Sequence, residues 1–161
     1  MNETVSWLIR VESTASNLYA EAALLFREDK AFSQFLSTMA IEEKDHEKLL
    51  QELSALIPDN HIKKVSFLAD DDFRSKVEAP LRRAWVLMKN GKLTKSAMID
   101  VVVEAEYSEW NELFIYVIDY FNATGDQLKK AVFEVDEHRA HIQDYFSSFR
   151  IVFLISETAM I

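Results

Sequence analysis

The sequence predicts an all-α protein, and two observations support this prediction. The chain of 161 residues contains only two glycines and two prolines, so few positions favour turns or interrupt helices. Long stretches repeat apolar residues at steps of three and four, which places them on one face of a helix. A single domain over residues 1–161 is expected at this length, with a continuous core.

The apolar repeats divide the chain into four predicted helices, which cover residues of about 3–28, 30–56, 94–121 and 126–155. Short connections make helices 1 and 2, and helices 3 and 4, antiparallel pairs. Asp29 is predicted to cap the second helix. Residues 57–93 form a predicted crossover with a short helix over Pro80–Met88, which Asn90-Gly91 ends.

Composition excludes several classes of function. The chain has no cysteine, so disulfides, thiolate metal sites and a cysteine nucleophile are excluded. A net charge of -9 argues against nucleic acid as a partner. The first residues lack the pattern of a secretory signal, and the longest apolar runs are too short to span a membrane. We therefore expect a cytoplasmic protein.

Two polar residues interrupt the inward-facing stripe of the second predicted helix. Glu43 and His46 continue an apolar repeat formed by Phe32, Phe35, Leu36, Met39, Leu50 and Leu53. Their neighbours Glu42 and Glu47 are predicted to lie beside the stripe, in solvent. A buried carboxylate and imidazole are costly unless something compensates them, and a divalent metal is the usual compensation.

The other predicted helices also place acids and histidines on their inward faces. In the fourth helix Glu134 lies on the same flank as His138, whereas Glu137 rotates toward solvent. The predicted metal ligands are Glu12, Glu43, His46, Glu106, Glu109, His138 and His141, with Glu134 as a further candidate. A metal-free polar network is the alternative interpretation, because any one of these residues alone could be a hydrogen-bonded core residue.

The two halves of the chain resemble each other. Glu12 precedes Tyr19 by seven residues, and Glu109 precedes Tyr116 by seven. This spacing predicts a pseudo-twofold bundle with one ligand set in each half. The two tyrosines are expected either to hydrogen-bond a ligating carboxylate or to serve as core aromatics.

Three short segments carry a resemblance to a known family: ESTASNLY over residues 12–19, EEKDH over 42–46 and EYSEWNE over 106–112. In these segments the chain resembles the rubrerythrin-like branch of the ferritin-like diiron proteins. The resemblance implies a ferritin-like four-helix bundle that holds two iron ions and reduces peroxide or dioxygen. It also implies a set of carboxylate ligands beside the imidazole of His46, namely Glu12, Glu43, Glu106 and Glu109. Glu106 and Glu109 would be the mobile carboxylates of catalysis.

The fourth helix departs from the family pattern. The family's Glu-x-x-His is replaced by His138-Arg139-Ala140-His141, so either an imidazole takes the place of the glutamate or Glu134 does. Iron is the expected metal, with Mn or Zn as alternatives. Rubrerythrins also carry an iron-tetrathiolate domain, which a chain without cysteine cannot form, so an external electron donor is expected.

Two further functions stay open: a non-catalytic protein that binds or stores metal, and a structural bundle with a polar core. The stretch Arg150–Ile155 is more apolar than a free tail and predicts a homodimer contact or a helix packed on the bundle.

Overall fold

The structure, a computed structural model, describes residues 3–55, 71–106, 133, 137, 138 and 140–147. Its helices in these ranges are α1 (Glu3–Leu25), α2 (Lys30–Ala55), α3 (Asp71–Lys89), α4 (Lys95–Glu106) and α5 (140–147). Glu137 and His138 are also helical and lie just before α5 in sequence. The described part of the chain contains no strand, which confirms the all-α class. The third and fourth predicted helices correspond to α4 and α5. The ends predicted for them, near residues 121 and 155, lie outside the described residues, as does the apolar stretch 150–155.

No helix within the described ranges combines the length and the apolar composition that crossing a bilayer requires.

Helices α1 and α2 form an antiparallel pair, as predicted. The Ser33 hydroxyl donates to the carbonyl of Ala23 near the turn, whereas the Ser16 hydroxyl donates to the carbonyl of Ala40 farther along. The α1 helix ends at Leu25 rather than near residue 28, and a turn follows. Asp29 then caps α2, because its Oδ1 accepts the backbone N–H of Phe32 at 3.1 Å.

The crossover helix is longer than predicted. It begins at Asp71, not at Pro80, and places Pro80 in its interior. The prediction treated the proline as a helix start and missed an apolar repeat before it. Phe73 packs edge to face on Trp7, and Val77 is buried four residues later. Tertiary packing on α1 thus extends the helix through a residue that removes one backbone hydrogen bond.

The turn between α3 and α4 has the predicted stop at Gly91. This glycine has a φ of 63°, and the N–H of Lys92 donates to the carbonyl of Leu87 while that of Gly91 donates to Met88. Thr94 then caps the N-terminus of α4, since its Oγ1 accepts the N–H of Ala97.

Aromatic side chains fix α5 against α2. The rings of Phe35 and Tyr145 stack with centroids 4.0 Å apart and planes 9° from parallel. Phe146 packs edge to face on Phe35 as well. His138 lies close to Glu42 while Tyr145 lies close to Phe35, so α5 runs antiparallel to α2. The most deeply buried large side chains of the core are Trp7, Leu8, Leu18, Tyr19, Phe32, Leu36, Met39, Leu50 and Met98.

Candidate metal centre

Among the residues that the structure describes, five acids and histidines meet in the core between the helices. They are Glu12 of α1, Glu43 and His46 of α2, Glu106 of α4, and His138. Each is between 0% and 3% exposed. All five lie on the inward stripes that the apolar repeats predict, which explains why side chains from separate helices converge here.

The five residues form two groups that share one member. Glu12, Glu43 and His46 make the first group, and Glu43, Glu106 and His138 make the second. In each group, one potential ligand atom per residue lies within 4.8 Å of the others. Glu43 is therefore placed between the two groups.

Contacts within the groups are short. His46 Nδ1 lies 3.3 Å from Glu43 Oε2 and 3.7 Å from Glu12 Oε2. His138 Nε2 lies 2.7 Å from Glu106 Oε2 and 3.3 Å from Glu43 Oε1. One imidazole thus faces two carboxylates in each group, and the two rings approach each other with centroids 5.5 Å apart.

Burial and charge divide the protons unevenly among these groups. Burial raises the pKa of Glu12 well above its usual range, and the neighbouring charge of Glu43 adds to the rise. Burial also raises the pKa of Glu43, but His138, Glu12 and His46 outweigh it and bring this pKa down to about 2. Burial opposes the charged form of His46, yet the carboxylates of Glu12 and Glu43 raise its pKa to about 10.

In the second group, too, burial and neighbouring charges shift the pKa values. Burial raises the pKa of Glu106, and the charge of Glu43 adds to the effect. Burial disfavours protonated His138, but the carboxylates of Glu106 and Glu43 raise its pKa well above the usual range. In the metal-free protein, protons on the two imidazoles therefore balance part of the anionic charge of the core, and burial favours the protonated form of Glu12.

A second layer of side chains holds these residues in place. The Tyr19 hydroxyl donates a hydrogen bond of 2.5 Å to Glu106 Oε1. His138 Nδ1 contacts Glu42 Oε2 at 2.8 Å, and Nδ1 of His141 contacts the other oxygen of Glu42. Glu42 thus fixes the His138 ring and leaves its Nε2 directed at the buried carboxylates.

The donor set fits a divalent metal. Among the described residues, Glu12 Oε2 and Glu43 Oε1 are buried oxygens without a hydrogen bond. Each of these oxygens lies within ion-pair distance of an imidazole nitrogen. When no metal is bound, a proton on each imidazole would face one of these oxygens. Carboxylate oxygens together with one imidazole per group suit Fe, Mn or Zn. The buried acid and imidazole groups of this core could hold a metal ion.

The structure does not bring every predicted ligand into the groups. The His141 side chain is 50% exposed, contacts Glu42 and lies outside both groups. Glu109, Glu134 and Tyr116 fall outside the described residues. Glu137 is exposed, as predicted.

The prediction of solvated side chains at two positions of α2 was wrong. Glu47 is buried, and its carboxylate pairs with Lys44 and Gln51 of its own helix. Glu42 is only 19% exposed because two imidazoles cover it. A signal for Glu42 was present in the sequence, since it precedes His46 by four residues and so lies on the same side of the helix.

No protein-family model matches the chain, and no curated protein or solved structure is significantly similar to it. What the site can do therefore has to follow from its own geometry and chemistry.

Proposed function

We propose that the chain is a metal-binding protein that holds two divalent ions in its helical core. The observation that carries this proposal is the pair of overlapping buried groups that share Glu43. In the proposal Glu12, Glu43 and His46 hold one ion, and Glu43, Glu106 and His138 hold the other. His141 serves by holding Glu42 rather than as a ligand.

The architecture proposed for this site is a ferritin-like four-helix bundle of the rubrerythrin type, formed by residues 1–161 as one domain. Contacts among the described residues support it. Tyr19 of α1 reaches Glu106 of α4, and Glu42 of α2 reaches His138, so side chains from four helical segments surround one site. The α3 helix belongs to the crossover between the two pairs.

The proposed activity is the reduction of peroxide or dioxygen. Two iron ions held here would supply two electrons, which suffice to reduce peroxide to water or dioxygen to peroxide. The chain itself excludes bulk water, since the five proposed ligands are almost fully buried. Tyr19 holds a proton on its hydroxyl against Glu106 Oε1 and thereby positions this carboxylate. The chain has no cysteine, so the proposal includes an external electron donor. It also includes a homodimer, for which the apolar sequence Arg150–Ile155 is the support.

Metal content per chain tests the proposal. Protein refilled with Fe(II) without oxygen is expected to hold about two ions, one for each donor group. Glu43→Ala should lose both because Glu43 belongs to both groups, whereas His46→Ala and His138→Ala should each lose about one. Glu47→Ala is the matched control, because this glutamate is buried on the same helix and its carboxylate pairs there with Lys44 and Gln51.

Reaction with oxidants then separates catalysis from binding. Rapid oxidation of the Fe(II)-loaded parent by peroxide, with turnover when a reductant is added, supports the enzyme. A loaded protein that is inert to both peroxide and dioxygen is a metal-binding or storage protein. A dimer-sized particle in light scattering would exclude storage of the ferritin kind, which needs a hollow shell.

One observation favours a second candidate, a structural polar core. Without metal, His46 and His138 each face two carboxylates and balance part of their charge. If the refilled parent holds no metal, this candidate survives. Replacing Glu43 and His46 together with apolar residues of similar volume should then stabilise the fold against urea.

A further inference from the structure

An ion that binds the two groups needs a route through the packed helices. All five proposed ligands are nearly inaccessible, and protein interiors are packed too densely for a hydrated cation to pass. A suitable route would be an opening that reaches solvent on one side and a ligand on the other.

One cavity meets this description. It has a volume of about 190 Å³ and is lined by Glu42, Asp45, His46 and Glu137. His46 is both part of its wall and a member of the first donor group. Because Nδ1 of this ring lies 3.3 Å from Glu43, a single imidazole separates the cavity from the buried carboxylates. Two of those carboxylates carry the oxygens that lack a hydrogen bond among the described residues.

The lining has the charge that attracts cations. Three of its four side chains are acids. Asp45 also contacts Lys48 at 2.6 Å, and this cation offsets part of the negative charge, while Glu42 contacts His138 and His141. Acidic side chains around a narrow opening concentrate cations near it and raise their rate of association.

A second cavity among the described residues differs in charge. It lies between α1 and α3, has a volume of about 240 Å³, and is lined by Arg10, Arg82 and Glu78, the last of which pairs with Arg82 at 2.9 Å. Its charged lining is therefore net positive and does not attract a divalent ion, and none of the five proposed ligands lines it.

We propose that the cavity lined by Glu42, Asp45, His46 and Glu137 is the uptake route for divalent cations. Asp45 and Glu137 attract the hydrated ion, and a rotation of the His46 ring admits it to the carboxylates behind. This inference rests on the proposed metal-binding function.

The test measures uptake rates for Co(II), with a metallochromic indicator that reports the free ion in a stopped-flow instrument. The cavity variant is Asp45→Asn with Glu137→Gln. The control is Asp72→Asn with Glu28→Gln, which removes the same charge from exposed acids, 80% and 92% accessible, that do not line the cavity. Asp72 pairs with a lysine on its own helix, as Asp45 does.

At low salt we expect the cavity variant to take up Co(II) about tenfold more slowly than the parent, and the control less than about twofold more slowly. The difference should vanish near 1 M salt because the charges are then screened. Stoichiometry at equilibrium should be the same in all three proteins, since none of the four changed residues is a proposed ligand.

Equal rates for the cavity variant and the control would refute the route while leaving metal binding intact. Failure of the parent to take up Co(II) at equilibrium would instead refute the metal-binding function and the route with it. If circular dichroism shows that the double variant has lost helix, Glu137→Gln against Glu28→Gln provides the same comparison at exposed positions.

Discussion

Metal binding to this core should release protons, because the groups that would hold the ions hold protons in the metal-free protein. The carboxylates of Glu12 and Glu43 raise the pKa of His46 to about 10, and those of Glu106 and Glu43 raise the pKa of His138 as well. Both imidazoles are therefore protonated at pH 7. A metal ion requires the neutral ring, so it must displace these protons.

The expected release is about two protons for two ions, one from each imidazole. Burial raises the pKa of Glu12 as well, so any proton on this carboxyl adds to the number. Each released proton makes the overall binding constant rise about tenfold per pH unit. Because the pKa of His46 is about 10, this imidazole alone should strengthen binding by about 10² between pH 6 and pH 8, which corresponds to about 2.7 kcal/mol, and the proton of His138 adds to this effect.

The stability of the metal-free protein should follow the opposite trend. The folded pKa of His46 lies above its value of 6.5 in an unfolded chain, so protonation of this ring stabilises the fold. This contribution is complete below pH 6.5 and is lost as the pH rises toward about 10. Raising the pH should therefore destabilise the metal-free protein and stabilise the metal-loaded one.

Calorimetric titration with Co(II) in two buffers of different ionisation enthalpy counts the protons released. The His46→Gln variant should release about one proton fewer than the parent and bind about one ion fewer. Binding of two ions with no dependence of the heat on the buffer would refute the assignment of protons to the imidazoles.

Further predictions concern the metal-free fold, measured by urea unfolding. Leu36→Ala should lower the free energy of unfolding by about 2–5 kcal/mol, since Leu36 is fully buried; a loss below 1 kcal/mol would contradict its place in the core. Tyr19→Phe removes the donor to Glu106 and should cost about 1–3 kcal/mol; an unchanged midpoint would argue against this hydrogen bond. Asp29→Ala should cost about 0.5–2 kcal/mol at pH 7. Lys95 and the N–H of Phe32 lower the pKa of Asp29, so this cost should shrink as the pH falls below about 4 and the carboxyl becomes protonated; a constant cost would contradict the charged cap. Gly91→Ala should cost about 1 kcal/mol from backbone strain alone, because a Cβ there meets nothing within 4 Å, and a gain in stability would contradict the positive φ.

Much of the helical core could be predicted because its signal is local. The three- and four-residue repeat placed Glu12, Glu43 and Glu106 on buried faces, and the structure has them there. Cap and stop residues at Asp29 and Gly91 also act through their own neighbours in the chain. Such features need no knowledge of what the helices pack against.

Features that depend on partners from other helices were missed. Glu42 was assigned to solvent because its burial comes from His138 and His141, about a hundred residues farther along the chain. The first half of α3 was missed because Phe73 and Val77 become a core face only when α1 covers them. Tertiary contact decides such positions, and the pattern within one segment indicates only which side of its helix a residue lies on.

The stack of Phe35 on Tyr145 has a consequence for the two donor groups. Phe35 and Glu42, which contact Tyr145 and His138, lie seven residues apart on α2, so the stack lies about 10 Å along this helix from the imidazole. A slip by one turn along α2 would move a contacting side chain by about 5.4 Å, whereas metal ligands must be placed to within about 0.2 Å. The contact between these two aromatic rings thus fixes the position of the polar site along the helix axis. We expect substitutions at Phe35 that leave the helices folded to change the metal affinity. A residue with no donor atom can thus determine which ions this core accepts.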